Sequence, residues 1–355
     1  TLRDTLFPYT PLFRSPTFPG KDPAFLVLPR PIERSRMAKE LLTPEVREMI
    51  DKALAYLVLT QEADGGWSDT DFSSCTGIAA LSCMAFMSEG SRPQIGRYGK
   101  PLLRGLQFLL NNVTTRGVIV GKDPYEYGPM YEHLLATLVL LQNFGEMPGE
   151  SRARKVLERA IEVIHQSQKR DGGWRYLYSQ EGRSDISVTA NALWVLRTAK
   201  KAGFTVSQEN INRGVKFIEK CALPDGTFRY VYWGLKANPS MGGTGIIALC
   251  NQGKVDHALI PPARNRIQYD YNRYTVQDFL DRDYFVYGCF FASLAMYPCG
   301  DEYFIPWYQK AVEILKAAQR KDGEYADHHD NTVYVTAMAA ILLQTPYGYL
   351  PIYER

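Results

Sequence analysis

The chain has 355 residues, 45% hydrophobic, 12% aromatic and 22% charged, with 41 basic against 38 acidic side chains. That apolar content supports a large core and excludes a disordered chain, and the interspersed, near-neutral charge lacks the basic stripe of a nucleic-acid binder. No run approaches the ~18 apolar residues of a spanning helix, so no transmembrane segment is expected, although peripheral membrane contact stays open.

Length alone suggests two or three domains. The first fifteen residues, TLRDTLFPYTPLFRS, lack an initiator methionine and read as translated adapter sequence. Residues 1–36 are expected to be a Pro-rich lead-in, non-native or disordered, which leaves the compartment unassigned. A single domain is expected over residues 37–355. Six cysteines form no C-x-x-C pair, and in a chain of this size they read as small buried hydrophobes.

From there the chain repeats itself. A basic residue, a small residue and, three positions on, a larger apolar one open each copy: Lys52-Ala53, Arg104-Gly105, Arg159-Ala160, Arg213-Gly214 and Lys310-Ala311. Each copy ends in a glycine 13 residues after the basic one, at Gly65, Gly117, Gly172, Gly226 and Gly323. These segments read as amphipathic helices closed by a glycine in the left-handed conformation. Between and after these copies runs a second series of six segments, apolar on all sides, with register residues at Thr76, His133, Thr189, Thr244, Cys289 and Thr336. A helix apolar all round is buried on all sides. The fifth outer window, His257 to Leu280, is expected to be weak because Pro261-Pro262 interrupts it. Six outer helices alternating with six inner ones predict an all-α (α/α)6 toroid of six helical hairpins.

The outer-helix endings carry a resemblance. Gln61 to Trp67 and Gln168 to Trp174 both fit Q-x3-G-x-W, and Gln319 to Tyr325 and Cys221 to Phe228 are close variants. The pattern resembles the QW repeat of squalene and oxidosqualene cyclases, and more broadly the prenyltransferase/squalene-cyclase repeat superfamily. The resemblance covers about Thr43 to Thr345 and implies a toroid that binds an isoprenoid or other apolar ligand in a central cavity. An enzyme of this kind would be a terpene cyclase or mutase, or a transferase. The Gln amide is expected to cap its helix and tie neighbouring hairpins together, with Trp67 and Trp174 as buried rivets.

The chemical positions are then read one by one. The cyclase D-x-D-D-T-A motif maps onto Asp185 to Ala190, with Ser187 where the proton donor would stand. A hydroxyl is too weak an acid to protonate an isolated alkene. Asp71, in the D-x-D of the first repeat, is a further candidate or else part of a polar turn. The zinc set of protein prenyltransferases maps onto Asp185, Ser187 and Val286, leaving one donor of three. No metal and no cofactor is therefore expected, and His328-His329 reads as a solvated loop. His133 and Cys289 break the Thr register three repeats apart, which points either to an acid/base or nucleophile pair across the ring or to two core residues. Candidate catalytic residues are thus Asp185, His133, Cys289 and Asp71.

The loops after each glycine gather aromatic and basic residues at one end of the ring. From these come the candidate ligand-binding residues Tyr131, Tyr176, Tyr232, Trp233, Tyr284, Phe285, Arg175 and Arg282; Tyr125 and Tyr127 belong to the same set. Helix N-termini at that end favour an anionic group on the ligand. Two other readings stay open. One is a non-catalytic toroid that binds a protein or glycan, and the other is a carbohydrate-active (α/α)6 enzyme with two carboxylates ~5–9.5 Å apart.

Overall fold

A computed structural model describes residues 40–122, 128–282, 284–350 and 352. The lead-in, Tyr125, Tyr127 and Asp283 lie outside the described residues. The helices in chain order are α1 (Pro44–Leu59), α2 (Thr76–Ser88), α3 (Gly99–Asn111), α4 (Pro129–Gln142), α5 (Glu150–Ser167), α6 (Ile186–Lys201) and α7 (Gln208–Cys221). They continue as α8 (Met241–Cys250), α9 (Ile260–Tyr271), α10 (Val276–Asp281), α11 (Phe285–Met296), α12 (Asp301–Ala318) and α13 (Thr332–Leu343). Among the described residues, extended pairing is confined to isolated bridges.

The inner ring is α2, α4, α6, α8, α11 and α13. Each packs on the next and α13 packs back on α2, which closes the circle. Every residue of α2 is buried, as an all-round apolar helix requires. The outer helices α1, α3, α5, α7, α9 and α12 bury one stripe each. In α1 the stripe is Val46, Met49, Ile50, Ala53, Leu54 and Leu57, spaced for one helix face. The (α/α)6 toroid expected from the repeat is what the chain forms, with the short α10 added between the fifth outer and inner helices. Pro261 and Pro262 do not interrupt α9. They sit in its first turn, where a missing N–H and a fixed φ cost nothing.

The invariant spacing of 13 has a steric cause. Gly65, Gly117, Gly172, Gly226 and Gly323 all have φ between +84° and +101°. A Cβ on Gly65 would lie 2.5 Å from Arg104 O, and one on Gly172 would lie 2.8 Å from Arg213 O. Gly117 meets Arg159, Gly226 meets Pro262, and Gly323 meets Lys52 in the same way, so the last turn seats on the first outer helix. The basic residue hooks back onto that turn: Arg213 Nη2 donates to Lys169 O at 2.8 Å and Arg104 Nη2 to Glu62 O at 2.5 Å. The small residue after it leaves room for the preceding repeat's tryptophan, since a Cβ on Gly214 would touch the Trp174 ring at 2.9 Å.

Glutamines complete three of the five seams. Gln61 Nε2 donates to Gly65 O and to Pro101 O, both at 2.9 Å. Gln168 repeats this with Gly172 O and Asn210 O, and Gln319 with Gly323 O and Met49 O. Trp67 and Trp174 are fully buried, and each indole N–H donates to a carbonyl of its own outer helix, Leu57 O at 2.8 Å and Ile164 O at 2.7 Å.

Replacing Gly172 with alanine combines left-handed strain of ~1–2 kcal/mol with an overpacked contact of ~1–3 kcal/mol. Gly182 also has positive φ, at +83°, but a Cβ placed on it would meet nothing within 4 Å. Urea unfolding is expected to show a loss of about 3 kcal/mol for Gly172→Ala and about 1 kcal/mol for Gly182→Ala. Equal losses would mean that the seam contact is not what fixes the glycine.

Candidate functional site

The inner helices all begin at the same end of the ring, and a cavity of about 580 Å³ lies between their first two turns. At 1.5 Å per residue that is a depth of roughly 10 Å. All six contribute to its wall, with Ile78 and Leu81 from α2, Tyr131 and Leu135 from α4, Ser187 and Asn191 from α6. Met241 comes from α8, Tyr287, Phe290 and Phe291 from α11, and Tyr334 and Met338 from α13. The connecting loops add Phe72, Arg175, Tyr176, Tyr230, Asn238 and Tyr284 around the mouth. Tyr284 is 71% exposed at the rim, where it takes a left-handed conformation just before α11.

Polar groups on this wall are few and mostly held. Asp185 caps α6, with Oδ1 accepting from Val188 N–H at 2.9 Å and from the Ser187 hydroxyl at 2.7 Å. Ser187 in turn is hydrogen-bonded to the Tyr131 hydroxyl, and the Tyr176 and Tyr230 hydroxyls bond each other. Asp185 is fully buried and its Oδ2 has no partner. Burial pushes its carboxyl up to about 6, against the opposing pull of the Ser187 and Val188 bonds and the Arg175 charge. Glu132 lines the cavity and caps α2 from the neighbouring helix, its Oε2 accepting from Thr76 N–H, the Thr76 hydroxyl and Gly121 N–H at 2.9–3.0 Å. Asp69 does the same for α13, accepting from Thr332 N–H and Tyr334 N–H at 2.8 Å. Three of the six helix N-termini are therefore already neutralised by the chain's own carboxylates, which removes them as anion sites.

The predicted residues divide. Tyr131, Tyr176, Tyr284 and Arg175 line the cavity. Asp185 sits behind Ser187, one bond from the wall. His133 does not reach the cavity. Its Nδ1 accepts from Ile119 N–H and its Nε2–H donates to Ala160 O, both at 3.0 Å, which fixes a neutral ring facing the outer helix α5. It does there what Thr189 and Thr336 do for Trp174 N–H and Tyr325 N–H. Burial lowers its pKa to about 4. Cys289 faces outward too, beside Tyr271 of α9, and burial pushes its thiol up to about 12. The two register-breaking residues are not brought together in the cavity.

The remaining candidates lie off the wall. Asp71 is exposed and exchanges hydrogen bonds with Asn331. Tyr232 and Trp233 pack edge-to-face at 5.0 Å, under Lys220 and Arg183 respectively. Phe285 is buried against Tyr274 and Phe279, and Arg282 pairs with Asp278 at 2.7 Å. Sequence reasoning missed Asn191, whose only signal was an amide in the middle of an apolar helix, and the capping role of Asp69. Among the described residues no group of three His, Cys, Asp or Glu side chains could hold a metal, and no helix is long and apolar enough to cross a membrane.

With this geometry in hand, comparison places the fold among known toroids. The structure resembles an α-1,6-mannanase of Salegentibacter sp. bound to α-1,6-mannotriose, with TM-score 0.62 and 9% identity over 86% of this chain and 100% of that one. It resembles the type II terpene cyclase MstE from Scytonema with geranylgeranyl dihydroxybenzoate bound, with TM-score 0.58 and 13% identity over 88% and 99% of the two chains. It also resembles cellobiose 2-epimerase from Bacillus thermoamylovorans, with TM-score 0.61 and 11% identity over 84% and 98%. No family profile and no curated protein matches the sequence. The likeness is to a helical toroid shared by a terpene cyclase and carbohydrate-active enzymes, and at these identities it shows the fold alone.

Two buried groups of opposite sign predict a pH signature. With its pKa raised to about 6, Asp185 binds an extra proton in the folded state between about pH 4 and 6, so its contribution to stability falls as pH rises through that window. With its pKa lowered to about 4, His133 binds fewer protons folded than unfolded between about pH 4 and 6.5, so its contribution falls as pH drops. Each is worth about 3 kcal/mol across its window at 1.36 kcal/mol per unit. Measured by thermal melts at pH 4.5 and 6.5 and taken relative to wild type, Asp185→Asn should lose stability on acidification and His133→Thr should gain it. Parallel profiles for the two variants would contradict this assignment.

Proposed function

We propose that the protein binds an isoprenoid, or an apolar ligand of similar shape, in the central cavity at the N-terminal ends of the inner helices. The observation that carries this reading is the composition of the wall. Aromatic and aliphatic side chains from five of the six inner helices, with Ser187 and Asn191 from α6, surround about 580 Å³, a volume in the range of small-molecule sites. Among the described lining residues the one cation is Arg175 and the one carboxylate is Glu132. Arg175 stands at the mouth, its guanidinium 5.1 Å from the Tyr176 ring centroid, where it can meet a polar group of the ligand.

A glycoside-cleaving site needs two working carboxylates on its wall. The described wall offers Glu132, and three donors already hold one of its oxygens to cap α2. That observation favours the apolar ligand over a sugar. The proposal extends to binding and not to alkene protonation, because the group at the donor position is the Ser187 hydroxyl.

The test is organic extraction and native mass spectrometry of the purified protein, before and after incubation with a mixture of isoprenoids. Wild type should carry or take up an isoprenoid. Leu135→Trp, which fills the cavity from α4, should lose that uptake while still melting cooperatively. No uptake by wild type, or equal uptake by the folded variant, would sink the reading.

A further inference from the structure

Resting on that reading, the hydrogen-bond bookkeeping along the α6 wall says more about the ligand. Ser187 has one hydroxyl proton, and it goes to Asp185 Oδ1. The same oxygen accepts from Val188 N–H, which marks it as an acceptor, so a proton taken up by Asp185 belongs on Oδ2 and leaves this bond in place. The bond between Tyr131 and Ser187 must then run from the Tyr131 hydroxyl to Ser187 Oγ. Tyr131 lines the cavity with its proton committed, and its oxygen offers the ligand lone pairs only.

One turn deeper on the same wall stands Asn191, 3% exposed. Its Nδ2 donates to Ser187 O at 3.0 Å, which fixes the orientation of the amide, since the flipped form would set two oxygens against each other. Its Oδ1 has no partner. A buried acceptor without a donor is costly, and a ligand that supplies the donor recovers that cost. Tyr131 and Asn191 thus give α4 and α6 a pair of acceptors beside the cavity, and the Tyr287 hydroxyl, which lines the same cavity, has no partner either.

We infer that the ligand of this cavity carries a hydroxyl group that donates to the Tyr131 and Asn191 pair, so that an isoprenoid alcohol is bound in preference to a hydrocarbon or an ether. The isoprenoid chain packs against Leu135, Phe290 and Met338, and the hydroxyl selects its register along the cavity.

The experiment compares geranylgeraniol with its methyl ether by titration calorimetry on the full-length protein. In wild type the alcohol should bind about tenfold tighter or more, the discrimination given by one buried acceptor left without a donor. Asn191→Leu, which keeps the shape and removes the acceptor, should narrow that ratio to about threefold or less through loss of affinity for the alcohol. Should that variant fail to fold, the wild-type ratio decides alone. Equal affinity for alcohol and ether in wild type would overturn the hydroxyl inference and leave the apolar-ligand reading standing. Binding of neither compound would overturn both.

Discussion

The ring depends on a contact too tight for a side chain. At five seams a glycine with positive φ presses its Cα against the backbone or Cβ of the next outer helix, at distances that exclude a methyl group. A turn that can only be glycine, meeting a helix at one fixed residue, sets both the spacing and the angle between neighbouring hairpins. Because Gly323 meets Lys52 as Gly65 meets Arg104, the contact also closes the circle. No hairpin could bury its inner helix alone, so the seams make six marginal units into one core. The seam between the fifth and sixth outer helices lacks the glycine. There α10 packs on α12, and Tyr271 and Phe279 meet Phe285 in an aromatic cluster that takes up the space.

With the hairpins held from outside, the inner ring can keep an unfilled end. Its helix N-termini carry orphan N–H groups that would draw anions or water into the cavity. Asp69, Glu132 and Asp185 satisfy three of these starts, and Tyr176 O accepts from Met130 N–H at a fourth. Two of those carboxylates reach across from a neighbouring repeat. Capping here is also inter-hairpin fastening, and it leaves the wall dominated by rings and aliphatic chains.

The fold was legible because the repeat is periodic in the physics that builds it. A turn glycine, a basic hook and a small residue recur at one spacing, and an all-round apolar helix has one place to go. The site was legible only in part. Tyr131, Tyr176, Tyr284 and Arg175 follow from the position of their loops, which the repeat fixes. For His133 and Cys289 the register break left a catalytic pair and two core residues both open, and the structure agrees with the core reading. His133 carries out the register's own task with a ring nitrogen in place of a hydroxyl, accepting from Ile119 N–H as Thr189 does from Trp174 N–H. Tyr232, Trp233 and Arg282 lie in the expected loops and Phe285 opens α11, yet none of them lines the cavity, and direction within a loop is not written in spacing. Pro261 and Pro262 misled. Their meaning depends on whether they fall inside a helix or at its start, and without the glycine register the fifth window had no marked boundary.

Asp185 shows how the same residue can serve the fold and shape the site. As the N-cap of α6 it needs one oxygen, and that oxygen holds both Val188 N–H and the Ser187 hydroxyl. The second bond orders the proton on Ser187, and Ser187 orders the proton on Tyr131, two groups that face the cavity. A cap made by a serine or threonine would satisfy Val188 equally well, yet it would leave the direction of the hydroxyl chain undetermined. The carboxylate carries a raised pKa and an unpartnered Oδ2. What the carboxylate adds over a hydroxyl cap is a fixed polarity on the wall that a ligand meets.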